Sequence, residues 1–235
     1  MIIKVSGLRE AGQIREVSTM GVGMMAFDFR QGSERFVRMI SSQAGIIPDY
    51  SEERLKGKSD PQPSSLNPHP SSFNPQPSTL KVGIFADDMP QSIITRIYNY
   101  ELDAVQLDGN ELPVMIDNLR RSAVPDICPQ LTIIKTLHLR EAADIEAWKD
   151  FEHHADMLLF EIEDKARVQE LISQYHGTLP FLVGCAISPD DVDLIKTIKH
   201  PLLVGIDLNE GFELSPAVKD LAAIRAFMDQ LSARQ

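Results

Sequence analysis

Ser6 closes a short β-rich run, Ile2 to Val5, in the opening residues MIIKVSGLRE. Residues just past the carboxyl end of a strand in a parallel β/α unit often do chemistry. A serine hydroxyl supplies almost no alkoxide at neutral pH and acts when an adjacent base takes its proton. Its own loop offers Arg9 and Glu10 and no histidine. What Ser6 can do therefore depends on what the other strand ends carry. In chain order these read KVSGLRE, FDFRQGSERFV, VGIFADD, VQLDGNE, IIKTLHL, LLFEIED, FLVGCAISPDD and VGIDLNEGFE. Polar or charged residues gather in every one of them.

The elements that must position these residues follow from periodicity. Strands are expected at Ile2–Val5, Gly23–Phe29, Lys81–Ala86, Asp103–Leu107, Thr132–Leu137, Asp156–Ile162, Phe181–Ile187 and Leu203–Leu208. Amphipathic helices are expected at Glu10–Met20, Ser33–Gln43, Pro90–Tyr100, Glu111–Arg121, Glu141–His153, Lys165–Tyr175, Pro189–Ile198 and Pro216–Leu231. Ser188-Pro189-Asp190-Asp191 supplies an N-cap, a first-turn proline and acids that favour the helix dipole, and Ser215-Pro216 repeats the device. Eight such units in this length imply an α/β fold, a single (β/α)8 TIM barrel spanning residues 1–235. A doubly wound open sheet usually needs fewer units, and no G-x-G-x-x-G follows the first strand.

One stretch interrupts the pattern at 51–79, before the third strand. SDPQPSSLNPHPSSFNPQPSTL is a repeat of heptad length that holds six of the chain's 15 prolines. Such a composition disfavours helix or central strand. It reads as a docking segment for a partner or as a tolerated loop insertion. The insertion is favoured, because lengthening a loop costs little closure entropy. It should emerge at the bottom of the barrel.

Composition narrows the partners. The net charge of −11 disfavours nucleic acid or an anionic membrane as the main partner. It leaves room for a small phosphorylated ligand, since backbone N–H groups at helix N-termini bind phosphate without basic side chains. The two cysteines, Cys128 and Cys185, lie far apart in no metal-ligand spacing. With no signal peptide, they favour a reducing cytoplasm. The apolar runs are too short to span a bilayer.

Taken in order, the strand ends resemble the phosphoribosylanthranilate isomerase family of tryptophan biosynthesis. The family pattern runs K-[VI]-C-G, S-x-R-[YF]-[VI], V-G-[VI]-F, V-Q-L-H-G, I-K-A, F-D-T, S-G-G-[IL] and G-[IV]-D. The resemblance extends from Lys4 to the last helix, the proline-rich insert excepted. It implies a (β/α)8 barrel and an Amadori aldose–ketose isomerisation of N-(5-phosphoribosyl)anthranilate, with no cofactor and no metal. A general acid after strand six protonates the ribose ring oxygen. The cysteine of K-[VI]-C-G removes a proton next to the Schiff base. Backbone N–H groups after strands seven and eight hold the phosphate.

Carried over, the resemblance places Arg35 at the carboxylate-binding position, where a guanidinium fork suits a planar carboxylate. Glu161 takes the acid position, one methylene longer than the family's aspartate; a strand-end pocket would raise its pKa into the useful range. Asp207 and Asn209 fall at the barrel mouth, placed to orient the sugar. Gly184, Cys185 and Ala186 take the phosphate-loop position S-G-G. Ser6 takes the base position in place of cysteine.

The departures matter chemically. Serine is a poor proton abstractor by itself. Ala186 restricts the backbone where glycine is permissive, Cys185 reads as a packed residue, Asp108 replaces the family's histidine, and Glu210 puts a carboxylate near the phosphate. The glycine-rich loop after strand six is missing. Two expectations follow: an isomerase with substituted catalytic groups, or a catalytically impaired or inactive barrel paralogue retained for binding or in decay. On residue chemistry alone, little or no turnover is expected.

Overall fold

The computed structural model describes residues 1–45 and 79–233. The proline-rich insert expected at 51–79 therefore lies outside the described residues, Thr79 excepted. Eight strands form a closed barrel in sequence order: β1 Ile2–Val5, β2 Met24–Asp28, β3 Leu80–Phe85, β4 Ala104–Leu107, β5 Thr132–Leu139, β6 Met157–Ile162, β7 Phe181–Gly184 and β8 Leu203–Leu208. All neighbours are parallel, and β1 closes on β8 with Ile2 opposite Gly205 and Lys4 opposite Asp207. The closing seam needs the glycine, because a Cβ on Gly205 would stand 2.2 Å from the Ile2 carbonyl oxygen.

The side-chain period of two sorts each strand between two environments. One face packs on the helices in the main core. The other fills the barrel with Met24, Ala26, Val82, Ile84, Ala104, Ile134, Leu159 and Leu182. Two residues further along the same faces come Asp28, Gln106, Thr136, Glu161 and Gly184. The inward face therefore turns from apolar to polar at the carboxyl ends, and this change builds the site. At the other end Leu80 pairs with Met24, the first residues of their strands.

Among the described residues the helices are α1 Ala11–Ser18, α2 Pro90–Tyr100, α3 Pro113–Ala123, α4 Trp148–Phe151, α5 Val168–Ile172, α6 Val192–Thr197 and α7 Leu221–Ser232. Turns of 3-10 helix lead into α4, α5 and α6. The Ser188 N–H and hydroxyl both donate to Asp191 Oδ2 at 2.6 Å, the cap expected of Ser188-Pro189.

Two expected helices are corrected. Over Ser33–Gln43 the described chain forms turns, with 3-10 helix only from Ser42. Asp28 Oδ2 accepts from the Ser33 hydroxyl at 2.7 Å, and Val37 N–H donates to the Asp28 carbonyl. These bonds hold the segment alongside β2 and compete with helical pairing. Likewise Ser215-Pro216 starts no helix. It belongs to a hairpin of β9 Glu213–Ser215 and β10 Val218–Lys219, turned at Ala217 with a left-handed φ of +63°. The last helix starts later, where the Asp220 side chain accepts from Ala223 N–H at 2.9 Å. No described helix is long and apolar enough to cross a membrane.

Candidate active site

A cavity of about 250 Å³ opens at the carboxyl ends of the strands. Ser6, Arg35, Glu161, Gly184, Cys185, Ala186, Asp207 and Asn209 all line it, together with Arg30, Asp108, His138 and Glu210. Every residue singled out for a site role in the sequence thus meets the same space.

Ser6 is buried beneath this cavity and donates from Oγ to Asp207 Oδ1 at 2.6 Å. Lys4 Nζ, fully buried, donates to Asp207 Oδ2 at 2.7 Å and also to Ser6 Oγ. The serine's partner is therefore absent from its own loop and present across the closing seam of the barrel.

Glu161 faces the cavity from β6. Burial pushes its pKa up to about 8; the Asp207, Asp108 and Glu210 carboxylates add to the rise, against Lys4. It lies over Gly184, its ladder neighbour on β7, where an added Cβ would stand 2.2 Å from Glu161 Oε2. A longer acid here requires a residue without a side chain opposite it.

Both arginines of the cavity are held by protein carboxylates. Arg35 is forked onto Glu213, with Nε 2.9 Å from Oε1 and Nη2 2.8 Å from Oε2. Glu210 stands further off at 3.8 Å. Glu213 also accepts from buried Lys219 at 2.7 Å. Arg30 binds both oxygens of Asp28, at 2.9 Å and 2.6 Å, and reaches Asp108. His138 Nε2 lies 3.7 Å from Asp108.

The loops after β7 and β8 meet backbone to backbone, since a Cβ on Gly211 would fall 2.0 Å from the Ile187 carbonyl oxygen. Ala186 adopts φ of +47°, a left-handed conformation that costs a non-glycine residue about 1–2 kcal/mol. Cys185 is buried, and its thiol is pushed up to about 12, chiefly by burial and then by Glu161. It is a packed residue and no thiolate. Among the described residues no cluster of histidine, cysteine and carboxylate is arranged to hold a metal ion.

Residues 37–230 match the family model described as N-(5'-phosphoribosyl)anthranilate (PRA) isomerase. The chain belongs to that family. It is 29% identical to the N-(5'-phosphoribosyl)anthranilate isomerase of Parabacteroides distasonis, covering 98% of this chain and 93% of the relative. It is 27% identical to the Phocaeicola vulgatus enzyme over 98% of each chain. Among solved structures, the phosphoribosyl anthranilate isomerase of Thermus thermophilus superposes with a TM-score of 0.67 at 20% identity, covering 99% of both chains. A family structure in complex with reduced 1-(o-carboxyphenylamino)-1-deoxyribulose 5-phosphate superposes at 0.66 with 18% identity over the full length of both. At these identities the superpositions establish the barrel and its topology.

Within this PRA isomerase fold, several site residues lay outside the sequence reading. Lys4, Asp28, Arg30, His138, Glu213 and Lys219 were not singled out. Lys4, Asp28 and His138 carry a signal in hindsight, because they share the inward parity of their strands. Glu213 and Lys219 carry none, since their meeting depends on the hairpin that replaces an expected helix.

Proposed function

We propose that this chain catalyses the Amadori isomerisation of N-(5'-phosphoribosyl)anthranilate in tryptophan biosynthesis, in the cytoplasm and without a cofactor. One observation supports the reading beyond family membership: Glu161, whose pKa burial pushes up to about 8, lines the same cavity as the hydrogen-bonded Ser6–Asp207 pair. A protonated carboxyl and a hydrogen-bonded acceptor facing one small space are what acid–base isomerisation requires.

In this reading Glu161 donates its proton to the ribose ring oxygen. The carbon–oxygen bond of the ring breaks onto the protonated oxygen, and the lone pair of the anthranilate nitrogen forms an iminium. Removal of the proton on the adjacent carbon gives an enolamine, which tautomerises to the ketose. The substrate phosphate sits between the loops after β7 and β8 and takes backbone N–H groups near Ala186 and Gly211. Arg35 meets the anthranilate carboxylate in exchange for part of its fork with Glu213. Asn209, beside both loops, orients the sugar.

Complementation tests this directly. Expressed in a tryptophan auxotroph that lacks only this isomerase, the wild-type chain supports growth without tryptophan and Glu161→Gln does not. Failure of the wild type to support growth, with soluble protein present, contradicts the reading and favours an inactive barrel.

A further inference from the structure

We infer that Ser6 takes the substrate proton while passing its own hydroxyl proton to Asp207, so that a serine–carboxylate relay stands where the family pattern has a cysteine. This rests on the isomerase reading above.

The geometry supplies what serine lacks alone. Its hydroxyl becomes useful as a base when an acceptor already holds its proton. Asp207 Oδ1 is that acceptor, 2.6 Å from Oγ. Oγ accepts from Lys4 and donates to Asp207, which leaves it one lone pair, and the residue lines the cavity although nearly all of it is buried. Lys4 is a positioning residue. By holding Asp207 Oδ2 at 2.7 Å it leaves Oδ1 turned to the hydroxyl, and its second hydrogen bond, to Ser6 Oγ, fixes the hydroxyl beside the carboxylate. The arrangement follows from register, because closing β1 on β8 sets Lys4 opposite Asp207.

The step balances without an outside reagent. The carbon–hydrogen bond breaks and its proton bonds to Ser6 Oγ. The Oγ–H bond breaks in the same movement, and that proton bonds to Asp207 Oδ1. The carbon's electron pair becomes the new carbon–carbon π bond of the enolamine, and the iminium π pair moves onto nitrogen. Nothing is oxidised or reduced outside the substrate.

The test measures kcat and KM on the full chain by loss of substrate fluorescence, with binding of the reduced product analogue and circular dichroism as checks on folding. Ser6→Ala should lower kcat by about 10²–10⁴-fold, the usual cost of a general base, with analogue affinity unchanged. Ser6→Cys should keep turnover, because a thiol ionises without a relay. Asp207→Asn should then be far more costly with serine at position 6 than in the Ser6→Cys background. Equal cost in both backgrounds overturns the relay, as does a Ser6→Ala protein that turns over like wild type. In that second case Asp207 acts directly and the isomerase reading stands. If Asp207→Asn fails to fold, a Ser6→Ala protein with wild-type turnover still overturns the relay. A wild type that binds the analogue without turnover overturns both readings.

Discussion

Glu161 lies over Gly184 so closely that a methyl group on the glycine would stand 2.2 Å from the carboxyl oxygen Oε2. The two residues are neighbours on β6 and β7. The extra methylene of glutamate, relative to the family's aspartate, is accommodated by the missing side chain opposite. Gly184→Ala should therefore displace the acid while leaving the barrel folded. The clash is with the movable end of a side chain, so the stability loss should be about 1 kcal/mol, at the low end for overpacking. That corresponds to a fall in Tm of about 2–4 °C for a chain of this size. The fall in kcat should exceed tenfold, a split that thermal melts and steady-state kinetics on the same protein would reveal.

Glu161 also sets a pH limit. As the proposed general acid it must be protonated to act, so kcat should decline as pH rises through about 8. Asp207, Asp108, Glu210 and Lys4 all bear on that value. Stability carries the same sign. The folded protein holds this proton up to about 8, whereas the unfolded chain releases it near the ordinary value of 4.5. Between those limits the native state binds more protons, so stability falls with rising pH, by about 1.4 kcal/mol per pH unit from this group. Denaturant titrations from pH 5 to pH 8 should show that slope in the wild type and lose it in Glu161→Gln. A slope of the same size in the variant would assign it to another group.

Glu210 adjoins the loops proposed above to face the substrate phosphate, and it is exposed, 61% at its side chain. Its charge repels a dianion across solvent. At the dielectric of water such a repulsion is worth about 1 kcal/mol at close range. Glu210→Gln should lower KM by about fivefold, the equivalent of that energy, with little change in Tm. It should also move the alkaline limb of the pH profile downward, because Glu210 is one of the charges that raise Glu161. An unchanged KM would place the phosphate elsewhere in the cavity.

Arg35 poses a competition. Its fork onto Glu213 occupies the donors that a substrate carboxylate needs. Glu213→Gln should weaken that fork and lower KM for the anthranilate substrate. It should also lower Tm, since Glu213 is the carboxylate partner of buried Lys219 and breaking a buried pair is costly. KM and Tm should fall together, which differs from the Glu210→Gln outcome. A raised KM would mean that Glu213 itself helps to hold the substrate.

The strands were legible in the sequence because a parallel barrel buries both faces of each one and leaves short apolar runs between polar ends. Ile2–Val5 and Leu203–Leu208 have the bounds read from periodicity. The convergence of Ser6, Glu161 and Asp207 followed from the barrel, since strand ends meet at one mouth. In the segment after β2 the helical period is overridden because Ser33 and Arg30 bind the Asp28 side chain, bonds that periodicity does not encode. The hairpin at Glu213–Lys219 was missed for a similar reason. Ser215-Pro216 is a good local helix start, overridden by the ties of Glu213 to Arg35 and Lys219. The poverty of Ser6 as a base was a local judgement. Its acceptor lies 201 residues away in sequence and next door across the closing seam.

If this barrel turns over N-(5'-phosphoribosyl)anthranilate with Glu161 as its acid, removing that one proton donor should abolish most of its rate. The most direct measurement is a steady-state fluorescence assay of the purified wild-type chain beside Glu161→Gln, following loss of the anthranilate signal at pH 7. The account predicts clear turnover by the wild type and a kcat lower by about 10²–10⁴-fold in the variant, the usual contribution of a general acid. Equal rates in the two proteins, or no turnover by a wild type that is folded and binds the product analogue, would contradict it.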